Sequence, residues 1–400
     1  MTAEGHYAVR EILADALSYR VYAPDGSEVV PVSHYLQELV AFDCSPATVK
    51  AYAYALLDWF RFLQTAGIEW HEARSEHVRA YVLHLRAADN PYRHRRRPDT
   101  PAPGTVNPRT GKPSLAAGYK PATINHRLSV VKSYYAYQRE RGSGPRLNPV
   151  PAPAGGERPN AHHTPDDPWV QPRRAPYRQK QPVGLPRAIA DDLWEEVFRC
   201  LTSTRDRAIF CLLLSSGSRA GELLAMQDTD LDWGRQCVRL ITKGTRVAQW
   251  VAASPDCFRW LRLYLLERGE VRASAPLWWT LRAPRRPLTY QTLRKILVRV
   301  NEQLGTNLTL HDFRHTCALR LASDPAMPLI HVQAHLRHKH LTTTEGYLRA
   351  RPEDVIASVQ AHQRADHGSS TAAVGATTPH EWHYETADLQ VLLGGLGERP

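Results

Sequence analysis

Apolar residues recur at helical spacing in two separate stretches of the chain. In the first, Tyr35, Leu36, Leu39, Val40 and Phe42 share one face from Ser33 onward. Ser45-Pro46 then reads as a helix start, followed by a wide stripe of Val49, Tyr52, Ala53, Leu56, Leu57, Phe60 and Leu63. Val78, Tyr81, Val82 and Leu85 predict a third helix. Pro121 to about Arg141 predicts a fourth, with Ile124, Leu128, Val131, Tyr134 and Tyr135 on one side and His126, Arg127, Lys132, Arg139 and Arg141 elsewhere. In the second stretch helices are expected at 189–201, 204–216, 219–226, 255–268, near 290–303, and in a series from 311 to 362. Two alternating segments, Cys237–Thr242 and Arg246–Val251, predict a hairpin around Lys243-Gly244-Thr245. The expected fold is mainly α with a small β-hairpin.

The intervening segments lack this periodicity. Residues 1–30 end in Pro24-Asp25-Gly26 and read as a short strand or a loose arm. Asn90–Lys120 reads as a basic loop containing Arg93, Arg95, Arg96 and Arg97. Gly142 to about Gln181 is dense in proline, with Arg173, Arg174, Arg178 and Lys180 near its end. Such a segment reads as an extended linker unable to bury a core. The organisation expected is an arm (1–32), a helical domain (33–142), a basic linker (143–186), a second domain (187–362) and a tail (363–400) whose Leu389–Leu396 could dock as a helix.

The formal charge of +11 turns attention to an anionic partner, nucleic acid above all. Arg93, Arg95, Arg96, Arg97, Arg127, Lys132, Arg173 and Arg174 are the candidate DNA contacts. Six scattered cysteines without a CxxC pair argue against disulfide and zinc frameworks. Cys211 and Cys317 lie in apolar helical stretches as expected buried thiols, which fits a reducing cytoplasm. The N-terminus carries charges where a signal peptide needs an apolar run, and stretches such as Ala208–Leu214 are too short to span a membrane.

Within the second stretch, Arg219, Lys243, His311, Arg314, His338 and Tyr347 follow one another. Together they hold the groups needed to break and rejoin a phosphodiester without metal. A tyrosine can attack phosphorus, cations can hold the growing charge, and a lysine can protonate the leaving oxygen. Arg219 and Glu222 are i and i+3, so the carboxylate can orient the guanidinium. His311 and Arg314 share the same spacing, with Thr309 and Asp312 as possible caps, while His315 is expected to point elsewhere. Each signal has a bland alternative: a surface ion pair, a solvated helix face, a turn lysine, a buried tyrosine. Their joint order favours chemistry. Metal-dependent transfer would want clustered carboxylates, so no metal and no cofactor is expected.

These residues resemble the tyrosine recombinase family, the phage-integrase and Xer-like group. The resemblance lies in Ser216–Leu224, Thr242–Arg246, His311–Thr316 and Leu336–Tyr347, over about 185–362. Ser45–Tyr52 and the helix from Thr123 are more loosely similar to that family's SAM-like core-binding domain. The resemblance implies a DNA clamp of core-binding and catalytic domains. It implies Arg219 and Arg314 on the scissile phosphate, His311 in proton handling, His338 bonded to phosphate and Lys243 as acid. Tyr347 would form the 3′-phosphotyrosyl link, with Glu222 behind Arg219. Four protomers on two sites, acting in a bacterial cytoplasm at the nucleoid, would follow.

Arg337 departs from the pattern, standing where the family usually has glycine. It either bears the strain of a positive φ or contacts phosphate. Asn90–Lys120 is an insertion relative to minimal members, and the short N-terminal arm favours a two-domain recombinase. Two rivals stand beside this: a type IB topoisomerase-like relaxing enzyme that keeps the chemistry without the recombination, and a non-catalytic DNA-binding protein that keeps the fold.

Overall fold

Two apolar cores organise the chain, each formed by stripes that the sequence predicts. The computed structural model describes residues 7–11, 19–90, 101–152, 175–181, 187–242, 246–272, 274–324 and 326–338.

The first core lies among α1 (Val30–Ala41), α2 (Pro46–Thr65), α3 (Ser75–Ala87) and α4 (Pro121–Glu140). Ser45 caps α2 by accepting from the Thr48 amide at 3.3 Å, and Pro46 occupies the first turn, where no amide partner is lost. Its stripe is buried from Val49 to Leu63. Buried Trp59 donates to the Tyr135 hydroxyl at 3.0 Å, which in turn donates to the Trp70 carbonyl at 2.8 Å. The polar ends of these large rings are therefore satisfied inside the core.

Of the two readings of residues 1–30, the short strand is the one found: β1 (Ala8–Glu11) and β2 (Tyr19–Tyr22) pair antiparallel, and Tyr19 and Val21 are buried with α1 and α2. Part of the proline-rich segment also joins the core. Val150 is buried, and Asn125 pairs with the backbone of Gln179 through two hydrogen bonds of 2.7 and 3.0 Å. An asparagine amide there acts as a strand edge would, so an extended chain can pack without a helix or sheet of its own.

The second core is centred on α6 (Thr204–Ser216), buried from Ala208 to Leu214. Around it pack α5 (Asp191–Cys200), α7 (Ala220–Leu224), α8 (Pro255–Arg268), α9 (Tyr290–Leu304) and α10 (Leu310–Ala322). A three-stranded antiparallel sheet of β3 (Leu231–Asp232), β4 (Cys237–Ile241) and β5 (Ala248–Ala252) covers one side, with Val238, Leu240 and Val251 inward. The β4–β5 hairpin closes through the Thr242 amide on the Val247 carbonyl at 3.0 Å. Short α11 (Leu329–Leu336) rests on α10 through Val332, Leu336, Cys317 and Ala318. The helices expected beyond 338, and the docking helix at Leu389–Leu396, lie outside the described residues.

The loop Asn90–Lys120 is the largest revision. Its Arg93, Arg95, Arg96 and Arg97 lie outside the described residues, but residues 101–118 form a strap onto the second core. Asn107 donates to the Gly305 carbonyl at 2.7 Å, and Arg109 to the Leu304 carbonyl at 3.0 Å and Glu196 at 2.7 Å. Lys112 pairs with Asp312 at 2.6 Å. The open carbonyls at the end of α9 supply acceptors that the helix leaves unused.

The free cysteines Cys211, Cys257 and Cys317 are buried. Among the described residues no helix is long and apolar enough to cross a membrane.

Candidate active site

Four of the six predicted catalytic residues are described, and three helix ends bring them together. Arg219 is the N-cap of α7, His311 and Arg314 stand in the first turn and a half of α10, and His338 follows α11. Lys243 and Tyr347 lie outside the described residues.

The junction of α6 and α7 depends on Gly217. Its φ is +57°, and a Cβ there would meet Leu336 Cδ2 at 2.8 Å and Cys317 Sγ at 3.2 Å. Only glycine suits both the left-handed turn and the close approach of α10 and α11. The Gly217 carbonyl, freed at the end of α6, accepts from Arg314 Nη1. Arg314 Nη2 donates to the Leu336 carbonyl at the end of α11. Arg314 is 1% exposed. Two helix C-termini, each carrying partial negative charge, thus hold the buried cation.

Arg219 is the accessible guanidinium, with its side chain 37% exposed. Glu222 fixes it twice: Oε2 accepts from the Arg219 amide at 3.0 Å, and Oε1 from Nη1 at 2.6 Å. The expected orienting carboxylate is therefore present. Burial favours its protonation, but Arg337 and then Arg219 outweigh that and hold its carboxyl below the usual value.

The histidines share one electrostatic environment. Burial, then the charges of Arg314, Arg219 and Arg337, lower His338 to about 4. Burial, then His315 and Arg314, lower His311 to about 4. At neutral pH both rings are neutral and offer hydrogen bonds, with strong positive potential around them. His315 does not point elsewhere, as expected from sequence. It lies one turn beyond His311 on the same face, with ring centroids 4.3 Å apart at 77°. The predicted cap on α10 holds: the Thr309 amide donates to Asp312 Oδ2 at 2.6 Å.

Arg337 resolves the alternatives left by the sequence. Its φ is +56°, so it bears the strain, about 1–2 kcal/mol for a side chain in that region. Its guanidinium turns inward to Glu222 at 3.0 Å, and the side chain is 2% exposed.

Of the expected DNA contacts, Arg127 is turned inward. It pairs with Asp58 at 2.7 Å and covers the Tyr119 ring at 4.1 Å, because α4 faces α2 at that position. Lys132 is exposed. Arg173 and Arg174 lie outside the described residues. Arg79 and Arg86 of α3, not singled out in the sequence, line a groove of about 490 Å³ with Arg178 and Lys180. Their i, i+7 spacing on one helix face was the available signal. Among the described residues no three histidine, cysteine or acidic side chains gather as a metal site.

Two family models match the chain: the phage integrase family over residues 191–354, and the phage integrase N-terminal SAM-like domain over 32–95. Together they take in more than half of it. The tyrosine recombinase XerC of Roseiflexus castenholzii is 27% identical over 316 residues, covering 76% of this chain and 83% of the relative. That of Chlamydia caviae is 32% identical over 149 residues, 36% of this chain and 47% of the relative. The chain thus spans about half the length of the second relative and most of the first. Among solved structures, the Tn1549 transposon integrase in complex with a circular intermediate DNA aligns with TM-score 0.54 at 13% identity, covering 82% of this chain and 98% of that one. The XerH site-specific recombinase bound to its difH substrate aligns with TM-score 0.52 at 14% identity, covering 84% of each. At these identities the likeness shows the fold.

Proposed function

The chain belongs to the tyrosine recombinase, or phage integrase, family, and from that premise we propose that it is a site-specific recombinase cutting and rejoining duplex DNA without metal. The observation that carries this reading is the convergence of Arg219, His311, Arg314 and His338 from three helix ends into one positive cluster with Arg219 accessible. A phosphodiester placed there meets an oriented guanidinium, two neutral imidazoles and a buried cation behind them.

In this reading Arg219 clamps the scissile phosphate, and Arg314 adds its charge from the buried side. His311 and His338 donate hydrogen bonds that strengthen as charge grows on the phosphate oxygens. Such preorganised donors stabilise the transition state more than the ground state. Tyr347 attacks phosphorus and keeps the bond energy as a 3′-phosphotyrosyl link. Lys243, which stands between β4 and β5 in the sequence, protonates the leaving 5′ oxygen.

In this reading two clamping domains, 33–142 and 187–362, are joined by 143–186 and flanked by 1–32 and 363–400, with Tyr19, Val21 and Val150 of the flanking and joining segments packed into the first core. Lys132 and the α3 groove with Arg79, Arg86, Arg178 and Lys180 track phosphates from the helical side, and Arg93, Arg95, Arg96, Arg97, Arg173 and Arg174 remain DNA contacts of this reading by their charge in the sequence. Four protomers on two sites exchange strands in the bacterial cytoplasm, at the nucleoid.

The test is a covalent adduct. A plasmid carrying the DNA that flanks the coding region is incubated with wild type and with Tyr347→Phe in EDTA, then denatured. An adduct and recombinant joints with wild type alone are expected. Relaxation without joints on two-site substrates would point to a topoisomerase-like enzyme. No adduct on any supplied site would leave only DNA binding.

A further inference from the structure

Arg337 occupies a position that suits arginine poorly. Its backbone is left-handed, φ +56°, where glycine is favoured. Its side chain is 2% exposed, where arginine is rare without a partner. The turn it makes is nonetheless well formed. The Arg337 amide donates to the Ala334 carbonyl at 3.0 Å, and the His338 amide to the Gln333 carbonyl at 3.1 Å. These two bonds close a Schellman motif and set where His338 leaves the helix.

The guanidinium accounts for the choice. Nη2 meets Glu222 Oε2 at 3.0 Å, and Nη1 donates to the His335 carbonyl at 2.6 Å. Glu222 therefore stands between two arginines of different kinds. Arg219 is accessible, whereas Arg337 is sealed in. With Arg219 as its one partner, the Glu222 carboxylate would cancel the charge that a phosphate needs. A phosphate drawing Arg219 away would also strand a buried anion. With Arg337 present the trio keeps one net positive charge, and Glu222 keeps a partner throughout.

We propose that Arg337 is a positioning residue for strand cleavage: as the fixed counterion of Glu222, it lets that carboxylate orient Arg219 without cancelling its charge at the scissile phosphate. This rests on the recombinase reading above.

The experiment measures Tyr347 adduct formation at saturating duplex, with duplex affinity and thermal melting recorded for each variant. R337G suits the backbone and removes the counterion. It should slow adduct formation by about tenfold or more with little change in duplex affinity. Adding E222Q to R337G should restore part of the rate, because a neutral amide still accepts from Arg219 and cancels nothing. A residue that merely filled space would show no such rescue. Should R337G melt below the assay temperature, R337K and R337Q carry the test: the charged variant should cleave faster than the neutral one. Wild-type cleavage by R337G at saturating DNA, no rescue by E222Q, or equal rates for R337K and R337Q would each overturn the inference. Absence of any adduct with wild type would instead overturn the recombinase reading, and the inference with it.

Discussion

Glu222 shows how one side chain can carry both stability and chemistry. It is 2% exposed and accepts from two guanidinia and an amide. Glu222→Ala would leave the Arg337 cation buried without its partner. Such losses cost about 3–5 kcal/mol, and urea unfolding should show a drop of that order. His311 and His338 add a pH dependence. Both lie near 4 in the fold against about 6.5 unfolded, so the unfolded chain binds more protons between those values. Stability should therefore fall as pH is lowered from 7 to 5, read as a declining melting temperature. The effect is damped because His311 keeps part of its surface in solvent. A bound phosphate favours the protonated rings, so binding should take up protons. Duplex affinity should then tighten over the same acid interval, and a titration showing weakening would contradict the proposed place of these rings.

At the scale of elements, the site is a meeting of helix ends. The carbonyls closing α6 and α11 are held by Arg314, and the start of α7 by Glu222. Gly217 is the hinge of that arrangement. Gly217→Ala would place a methyl 2.8 Å from Leu336 Cδ2 in a left-handed backbone. Strain and overpacking together should cost about 2–4 kcal/mol by chemical denaturation. Adduct formation should fall beyond what lost stability explains, since Arg314 is tied to the same carbonyl. The helices themselves were readable from periodicity and caps: Ser45 before α2 and Thr309 with Asp312 on α10 stand where the local rules put them, and α6 spans the expected 204–216. The α7 segment, expected over 219–226, is only Ala220–Leu224. For residues 1–30 the sequence left a short strand and a loose arm open, and the β1–β2 pairing could not be read from it, because four-residue strands gain their place from burial of Tyr19 and Val21 on helices far along the chain.

Across the whole molecule, the strap 101–118 joins the helical core to the start of α10. Its ion pairs are partly exposed, so each is worth about 0.2–1 kcal/mol. Arg109→Ala with Lys112→Ala should loosen the tie without melting either core. Solution scattering should then show a larger radius of gyration with unchanged far-ultraviolet dichroism. Duplex binding itself should depend steeply on salt. Six or more neutralised phosphates predict a slope near −5 or steeper in a plot of log affinity against log salt.

What the sequence determined by itself was local or ordinal. Helix periodicity, caps, the basic balance and the order Arg219, Lys243, His311, Arg314, His338, Tyr347 are properties of neighbouring residues or of the list, and they sufficed for fold class and family. Arg219 with Glu222 was legible because three residues apart on a helix start is a local contact. The tertiary structure alone decided what depends on distant partners. Arg127 turned out to be held by Asp58, Lys112 by Asp312, and Arg337 by Glu222. A cation reads the same in sequence whether it faces a phosphate or a buried carboxylate, and only packing between separate elements selects which charge it meets.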